Sequence, residues 1–487
     1  MASTTTSCGK EERLRVLLIP FFASSHIEPF THLAISLAAS RPDGAVEATV
    51  AVTPANVPVA QSLLERRGQH GRVRIATYPF PAVDGLPRGI ENLGKVAAAD
   101  AWRIDVAAMS DTLMRPAQEA LVRAQAPDAV VTDVHFAWNV AIADELRVPC
   151  VAFSAIGAFS TLAMRRLMDD DDAVVGKDVL TVPRFPAPDI LVPRIELPDF
   201  LRSSSRSSEF TVVSIPDCFG LAMNTAPHLE QQYCEMYVSE GQAKRAYFLG
   251  PLSLASSPAP AAEVHAGGVH SPCIGWLDSK PDRSVVYLCF GSLAHVSHDQ
   301  LDELALGLEA SGKPFLWVVR AAEKWAPPER WMGRVDGRGL LVTTWAPQTA
   351  ILEHPAVGAF VTHCGWNSVL ETVTAGVPVL TWPMVFEQFI TERLLTEVLR
   401  VGERLWPHGA GRRSTRYQEH EVVPAEHVAR ALTAFMCPGG AGDEARDRVT
   451  ELAAKSRAAV AEGGSSHGDL RRLVDDLMAA KLATGTS

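Results

Sequence analysis

From Arg15 onward, short runs of β-branched and apolar residues alternate with longer stretches of helical periodicity. The short runs predict strands at Arg15–Phe21, Val46–Val52, Val73–Tyr78, Ala129–Thr132, Pro149–Phe153, Ser284–Phe290, Phe315–Arg320, Leu340–Thr343, Val357–Thr362 and Val377–Trp382. Strands alternating with helices in this rhythm make parallel sheets joined by crossover helices. The runs fall into two groups. Between them lies Pro251 to Pro272, rich in Pro, Ala, Gly and Ser and almost without charge, the composition of an interdomain linker. The expected fold is α/β, with two facing Rossmann-like doubly wound domains at residues 1–250 and 273–465, a linker at 251–272, and a last helical segment at 466–487. Ligands in such sheets bind beyond the carboxyl ends of the strands, so the expected site is the cleft between the domains.

A chain of 487 residues is long enough for two or three domains with full cores. Its 47% apolar and 21% charged residues are those of an ordinary globular protein. A net charge of −11 argues against nucleic acid or an anionic membrane as partner. The longest early apolar stretch, Val16 to Ala23, contains Pro20 and is too short for a signal-peptide core, and no apolar run approaches the ~18 residues of a membrane span. The expectation is a cytoplasmic monomer. Eight cysteines stand singly, with no C-x-x-C pair and no histidine at finger spacing, so reduced thiols and no metal are expected. The one charge block, Asp169–Asp172, reads as a solvated loop.

Two strand ends carry candidate chemistry. Ser284–Phe290 breaks at Gly291-Ser292, where backbone N–H groups can meet a phosphate. Ser297-His298-Asp299-Gln300 then opens a helix as a capping box, with Leu301, Leu304 and Leu308 on one face and Gly312 as its stop. After Val357–Thr362 the chain runs through His363-Cys364-Gly365-Trp366 into a helix beginning Asn367-Ser368. Asn367 or Ser368 is expected to cap that helix, whose free N–H groups and macrodipole make an anion site with His363 as a further donor. Glu371, one turn on, can accept from ribose hydroxyls or simply serve the helix dipole.

Residues Trp345 to Gln388, WAPQTAILEHPAVGAFVTHCGWNSVLETVTAGVPVLTWPMVFEQ, resemble the 44-residue signature box of the plant family 1 UDP-glycosyltransferases. Trp-Ala-Pro-Gln opens the box, His-Cys-Gly-Trp-Asn-Ser fills its middle and Glu-Gln closes it, and the likeness extends from the His26 loop to Ala453–Val474. The resemblance implies the GT-B architecture, with an acceptor-binding domain first, a UDP-sugar-binding domain second, and the last helix packed back on the first. It implies that Trp345 stacks on uracil beside the backbone of Ala346, that Gln348 and Glu371 hold the ribose, and that His363, Asn367, Ser368, Gly291 and Ser292 hold the diphosphate. Trp366, Glu387 and Gln388 would hold the sugar hydroxyls. Members of the family are inverting and need neither metal nor cofactor, the UDP-sugar being a co-substrate. A histidine deprotonates the acceptor hydroxyl, which attacks the anomeric carbon as UDP leaves. His26 matches that base, and Asp133 stands where the family has the carboxylate that orients it. His135 is a rival, but two residues beyond Asp133 along an extended segment it need not face the cleft.

Two positions depart from the family pattern: Ser25 replaces a glycine before the histidine, and Phe386 stands where a small residue is usual and is expected to narrow the pocket beside the sugar. In the family, Gln at the end of the box and Trp at its twenty-second position favour UDP-glucose, and Gln388 and Trp366 occupy those places. The expected partner is a small apolar alcohol, phenolic, flavonoid or terpenoid, in a pocket including Phe22, Phe136, Phe153, Phe159 and Phe386. No G-x-G-x-x-G follows a strand, which argues against a dinucleotide oxidoreductase, and no Asp-x-Asp stands at a strand end for a metal-dependent transferase. A UDP-sugar-binding protein without transfer activity, or transfer to carbon or nitrogen, is the alternative. The box holds no Lys or Arg and three acids, so a diphosphate would be held by N–H groups and a helix dipole rather than by fixed cations.

Overall fold

The computed structural model describes residues 13–41, 44–69, 71–169, 176–202, 214–255, 271–291, 295–319, 325–407 and 410–485. Ser292, Asp170–Asp172 and most of the linker lie outside the described residues. The strands, in chain order, are β1 (Leu14–Ile19), β2 (Val46–Val52), β3 (Val73–Thr77), β4 (Ala129–Asp133), β5 (Cys150–Ser154), β6 (Val179–Thr181), β7 (Leu191–Pro193), β8 (Gly220–Met223), β9 (Ala246–Phe248), β10 (Val285–Cys289), β11 (Phe315–Val318), β12 (Gly339–Val342), β13 (Val357–Thr362), β14 (Val379–Thr381) and β15 (Gly402–Arg404).

Seven strands form one sheet in the order β3-β2-β1-β4-β5-β8-β9 and six form a second in the order β12-β11-β10-β13-β14-β15, while β6 and β7 make a small hairpin. Every pairing in the two large sheets is parallel. The α/β expectation of two Rossmann-like domains holds. All ten predicted strands are present, several one or two residues shorter at their ends. β8, β9 and β15, three or four residues each, were not predicted, because a run that short carries no period to read.

Parallel strands are covered on both faces, and three apolar clusters do the covering. One packs Leu14, Val16 and Val50 against Phe30, Leu33 and the C-terminal residues Leu473, Val474 and Leu477. A second packs Val286 and Trp317 against Leu304 and Leu308. The third is shared, running from Leu17, Phe22 and Val130 of the first sheet to Tyr287, Phe360 and Trp366 of the second, so the facing walls are joined by continuous apolar packing.

Polar ties reinforce that joint. Glu196, buried on the N-terminal side, accepts from Arg393 at 2.5 Å and Arg413 at 3.0 Å on the C-terminal side. Helix Ser465–Gly485 lies along β9: the Phe248 N–H donates to Asp469 at 2.7 Å and the Tyr247 hydroxyl to Asp476 at 2.6 Å. Ser297 caps helix His298–Ala310 by accepting from the Gln300 N–H at 3.2 Å. The Gln300 side chain bonds the backbone of Val423 instead of returning to the cap, so only half of the capping box forms.

Candidate active site

On the first wall, β1 ends at Ile19 and helix Ser24–Ala39 begins five residues later, placing His26 in its first turn. β4 ends one strand away at Asp133, which is fully buried. The short loop and the strand end meet: His26 Nδ1 lies 2.8 Å from Asp133 Oδ2, which also accepts from the Phe21 N–H at 3.2 Å. The other carboxylate oxygen, Oδ1, lies 2.6 Å from His135 Nδ1 and accepts from the His135 N–H at 3.3 Å. His135 therefore does face the site, contrary to the expectation from an extended segment. The chain turns immediately after Asp133, with the Phe136 N–H donating to the Asp133 carbonyl at 3.1 Å, so strand alternation no longer decides where residue 135 points. Burial alone would raise the Asp133 carboxyl, but the two imidazoles and their hydrogen bonds hold it well below the ordinary carboxylate range.

On the second wall, β13 passes through Cys364 at φ +65, a left-handed conformation that turns the chain sharply, to Gly365, the N-cap of helix Trp366–Ala375. Neither Asn367 nor Ser368 caps this helix. Trp366 already lies in the first turn, so both residues sit inside it and their side chains bond elsewhere. Asn367 Nδ2 donates across the cleft to the Ser25 carbonyl at 2.9 Å, and Ser368 Oγ accepts from Gln348 at 2.9 Å. The N–H groups of the first turn are thus left without a side-chain cap, the condition for receiving an anion. His363 packs its imidazole edge against both Gly291 and Gly365: a Cβ at Gly291 would come within 2.7 Å of Nε2 and one at Gly365 within 2.4 Å. Burial pulls His363 down to about 4, so at neutral pH it offers a neutral N–H rather than a charge.

Beside that terminus, Gln348 Nε2 donates to Glu371 at 2.6 Å, Thr349 Oγ1 donates to the other Glu371 oxygen at 3.2 Å, and the Tyr287 hydroxyl donates to Gln348 at 3.2 Å. Burial pushes Glu371 up to about 7, opposed by the Gln348 bond and reinforced by the charge of Glu28. Trp345 is 58% exposed, with the Arg66 guanidinium of the other wall 5.2 Å from its ring centre, and Ala346 packs on the shared core. Gln388, buried, accepts from the Met384 and Val385 N–H groups, both at 3.0 Å. Glu387, raised by burial, feels the charge of His26 across the cleft.

Trp366 and four of the five phenylalanines lie in packed cores. Trp366 is buried in the shared core and its indole N–H donates to the Asn224 carbonyl of the first wall at 2.7 Å, so its side chain joins the domains while its backbone N–H stays among the uncapped groups of the first turn. Phe153 packs on Phe30 in the cluster on the far side of the first sheet, away from the cleft. Phe22, Phe136 and Phe159 are fully buried in the shared core: Phe22 against Phe80 and Phe136, Phe159 against Phe185 and Tyr233. Of the five, Phe386 alone is exposed, at φ +52. A strand run that is apolar on both faces gives no sign of which face meets a ligand.

Two Rossmann-like domains facing across a cleft, with a histidine–carboxylate pair on one wall and an uncapped helix terminus on the other, have the architecture of a two-domain glycosyltransferase. The sequence profile of the family described as UDP-glucoronosyl and UDP-glucosyl transferase matches residues 272–398. Over 502 residues the chain is 34% identical to UDP-glucose flavonoid 3-O-glucosyltransferase 7 of Fragaria ananassa, covering 98% of each. Over 482 residues it is 34% identical to scopoletin glucosyltransferase of Nicotiana tabacum, covering 96% of this chain and 98% of that one. Among solved structures, Glycyrrhiza uralensis UGT73P12, complexed with glycyrrhetinic acid 3-O-monoglucuronide, superposes with a TM-score of 0.85 at 30% identity over 97% of both chains. Medicago truncatula UGT71G1, complexed with UDP-glucose, gives 0.76 at 27% identity over 96% of this chain and 99% of that one. The chain belongs to the plant UDP-glycosyltransferase family and is an enzyme of that class. Among the described residues no helix is long and apolar enough to cross a membrane.

Proposed function

We propose that the protein transfers glucose from UDP-glucose, with inversion and without a metal, to a hydroxyl of a small phenolic, flavonoid or terpenoid acceptor. The observation that carries this reading is the 2.8 Å contact between His26 Nδ1 and Asp133 Oδ2, on a loop tied to the donor-side helix by Asn367. With Nδ1–H held by the carboxylate, Nε2 is the basic nitrogen. In the reaction it takes the acceptor proton while the acceptor oxygen bonds to the anomeric carbon and the bond from that carbon to UDP breaks. Asp133 stabilises the imidazolium so formed. The charge appearing on the departing diphosphate is met by the first-turn N–H groups of helix Trp366–Ala375, the neutral His363 and the Gly291 turn.

Donor assignments follow the same geometry. Trp345 presents an open ring face for uracil, Glu371 and Gln348 form a pair suited to a ribose diol, and Glu387 and Gln388 serve the sugar. Glucose and a phenolic acceptor are supported by relatives named for a flavonoid and for scopoletin. A cytoplasmic monomer with no cofactor completes the proposal.

The test is a screen of UDP-sugars against a panel of phenols and terpenoid alcohols with mass detection, in parallel with His26→Ala. Glucosides formed by the wild type, insensitive to EDTA and lost in His26→Ala while UDP binding persists, are the expected result. Turnover by His26→Ala, or product glycosylated on carbon, overturns the mechanism.

A further inference from the structure

The carboxylate that orients His26 is shared. Asp133 gives Oδ2 to His26 and Oδ1 to His135, and the two imidazoles stand 5.4 Å apart, centre to centre, at 70° to each other. Phe21 fixes both rings, stacking on His135 at 4.4 Å and meeting His26 edge-on at 5.1 Å. Such an arrangement places three potential ligand atoms within 4.8 Å, but each imidazole already directs its Nδ1 at the carboxylate.

The charges that act on His135 come from Asp133 and Asp105. Asp133 on β4 lies against it. Asp105, half-buried on helix Ala101–Met109, acts on it through its charge and is itself pushed up to about 6 by burial. Tyr78, beyond β3, is near Asp133 but is kept neutral by burial. From the second wall Glu387 acts on His26. Burial opposes charge on His135, yet Asp133 and, more weakly, Asp105 raise its pKa above the ordinary histidine value.

We propose that His135 is a positioning residue for transfer: as an imidazolium paired with the oxygen His26 does not use, it determines how much of the Asp133 charge His26 feels. The proposal rests on the reading of His26 as the base. A carboxylate already shared with one cation supports a second imidazolium less well, so His135 weakens the hold of Asp133 on a protonated His26. The enzyme would therefore stay active further into the acid range.

The experiment is the pH profile of kcat/KM, with UDP-glucose and whichever phenol of the panel the wild type turns over fastest. Two variants are compared. His135→Phe keeps a ring for Phe21 but removes both charge and hydrogen bond, and His135→Gln keeps a donor within reach of Asp133 but no charge. Both are expected to move the acid limb up by about one pH unit, with kcat above the limb within about threefold of wild type. An unmoved limb, or one moved to lower pH, overturns the proposal, and so does a shift in His135→Phe that His135→Gln does not share. Failure of the His26 reading is distinguishable, because His26→Ala would then retain turnover whatever the His135 variants do.

Discussion

Each wall of the cleft buries a carboxylate, and the two are treated in opposite ways. Asp133 lies between two imidazoles and is held ionised, whereas Glu371, hydrogen-bonded by the neutral Gln348 and Thr349 with Arg67 lowering it only weakly, is pushed up to about 7. The difference is one of partners, since burial pushes both carboxyls in the same direction. The first wall is complete before any ligand arrives, and its charge is fixed by the protein. The second is left undercompensated, with an uncapped helix terminus and a carboxylate short of donors, so that a nucleotide supplies what the protein withholds.

Breaking the complete wall has the largest expected effect. Asp133→Asn keeps the shape but removes the charge that stabilises the His26 imidazolium. A loss in kcat on the order of 10²–10⁴-fold is expected, with UDP affinity changed little. Steady-state kinetics and calorimetric titration of UDP separate the two quantities. Loss of UDP binding in step with kcat would show that Asp133 acts through the fold rather than through His26.

The incomplete wall gives a smaller effect with a pH signature. Because the folded carboxyl of Glu371 titrates near 7 rather than at its ordinary 4.5, the folded state holds a proton between those values that the unfolded chain does not. Its contribution to the stability of the ligand-free protein is therefore retained below about 4.5 and lost as pH rises through 7. Relative to Glu371→Gln, wild type should lose Tm as pH goes from 5 to 8. Ribose hydroxyls donating to the ionised carboxylate should reverse the ranking for ligand: uridine affinity rises over that range in wild type, stays flat in Glu371→Gln, and is about 10–100-fold weaker in the variant at pH 8. A uridine affinity independent of pH in both proteins would remove Glu371 from the ribose site.

The two walls were also unequally legible in the sequence. The donor wall is nearly contiguous, Trp345 to Gln388, and its residues could be read together because a strand, a turn and a helix start bring them into one place. What it does not show are the long-range partners: the Trp366 indole and Asn367, which does not cap its helix, bond Asn224 and Ser25, some 140 and 340 positions away, where no local pattern reaches. The other wall is assembled from separate elements. His26 and Asp133 could be matched to a known family pattern, but His135 was set aside on strand geometry that the chain abandons one residue earlier. The phenylalanines show the same limit. Phe153 on β5 and Phe22 in the loop after β1 look alike in sequence, yet one packs behind the sheet and the other in the core shared by the two walls.

The smallest expected effect concerns Phe386, where the comparison can be sharpened most finely. Its side chain is 43% exposed and its backbone is left-handed, a conformation costing about 1–2 kcal/mol for a residue with a Cβ. The turn is held from within, by the Met384 and Val385 N–H groups bonded to Gln388, so the strain is imposed by the loop that presents Glu387 and Gln388. Truncation and relief of strain can therefore be separated. Phe386→Ala removes the ring and keeps the strain, and should leave the unfolding free energy unchanged within about 0.5 kcal/mol. Phe386→Gly removes both and should stabilise by about 1 kcal/mol. If the ring narrows the acceptor pocket, both variants accept bulkier phenols, with turnover of small ones altered only a few-fold. An acceptor range that widens in Phe386→Gly alone would assign the restriction to the loop rather than the ring, and one unchanged in both would leave the exposed ring with no part in selecting the acceptor.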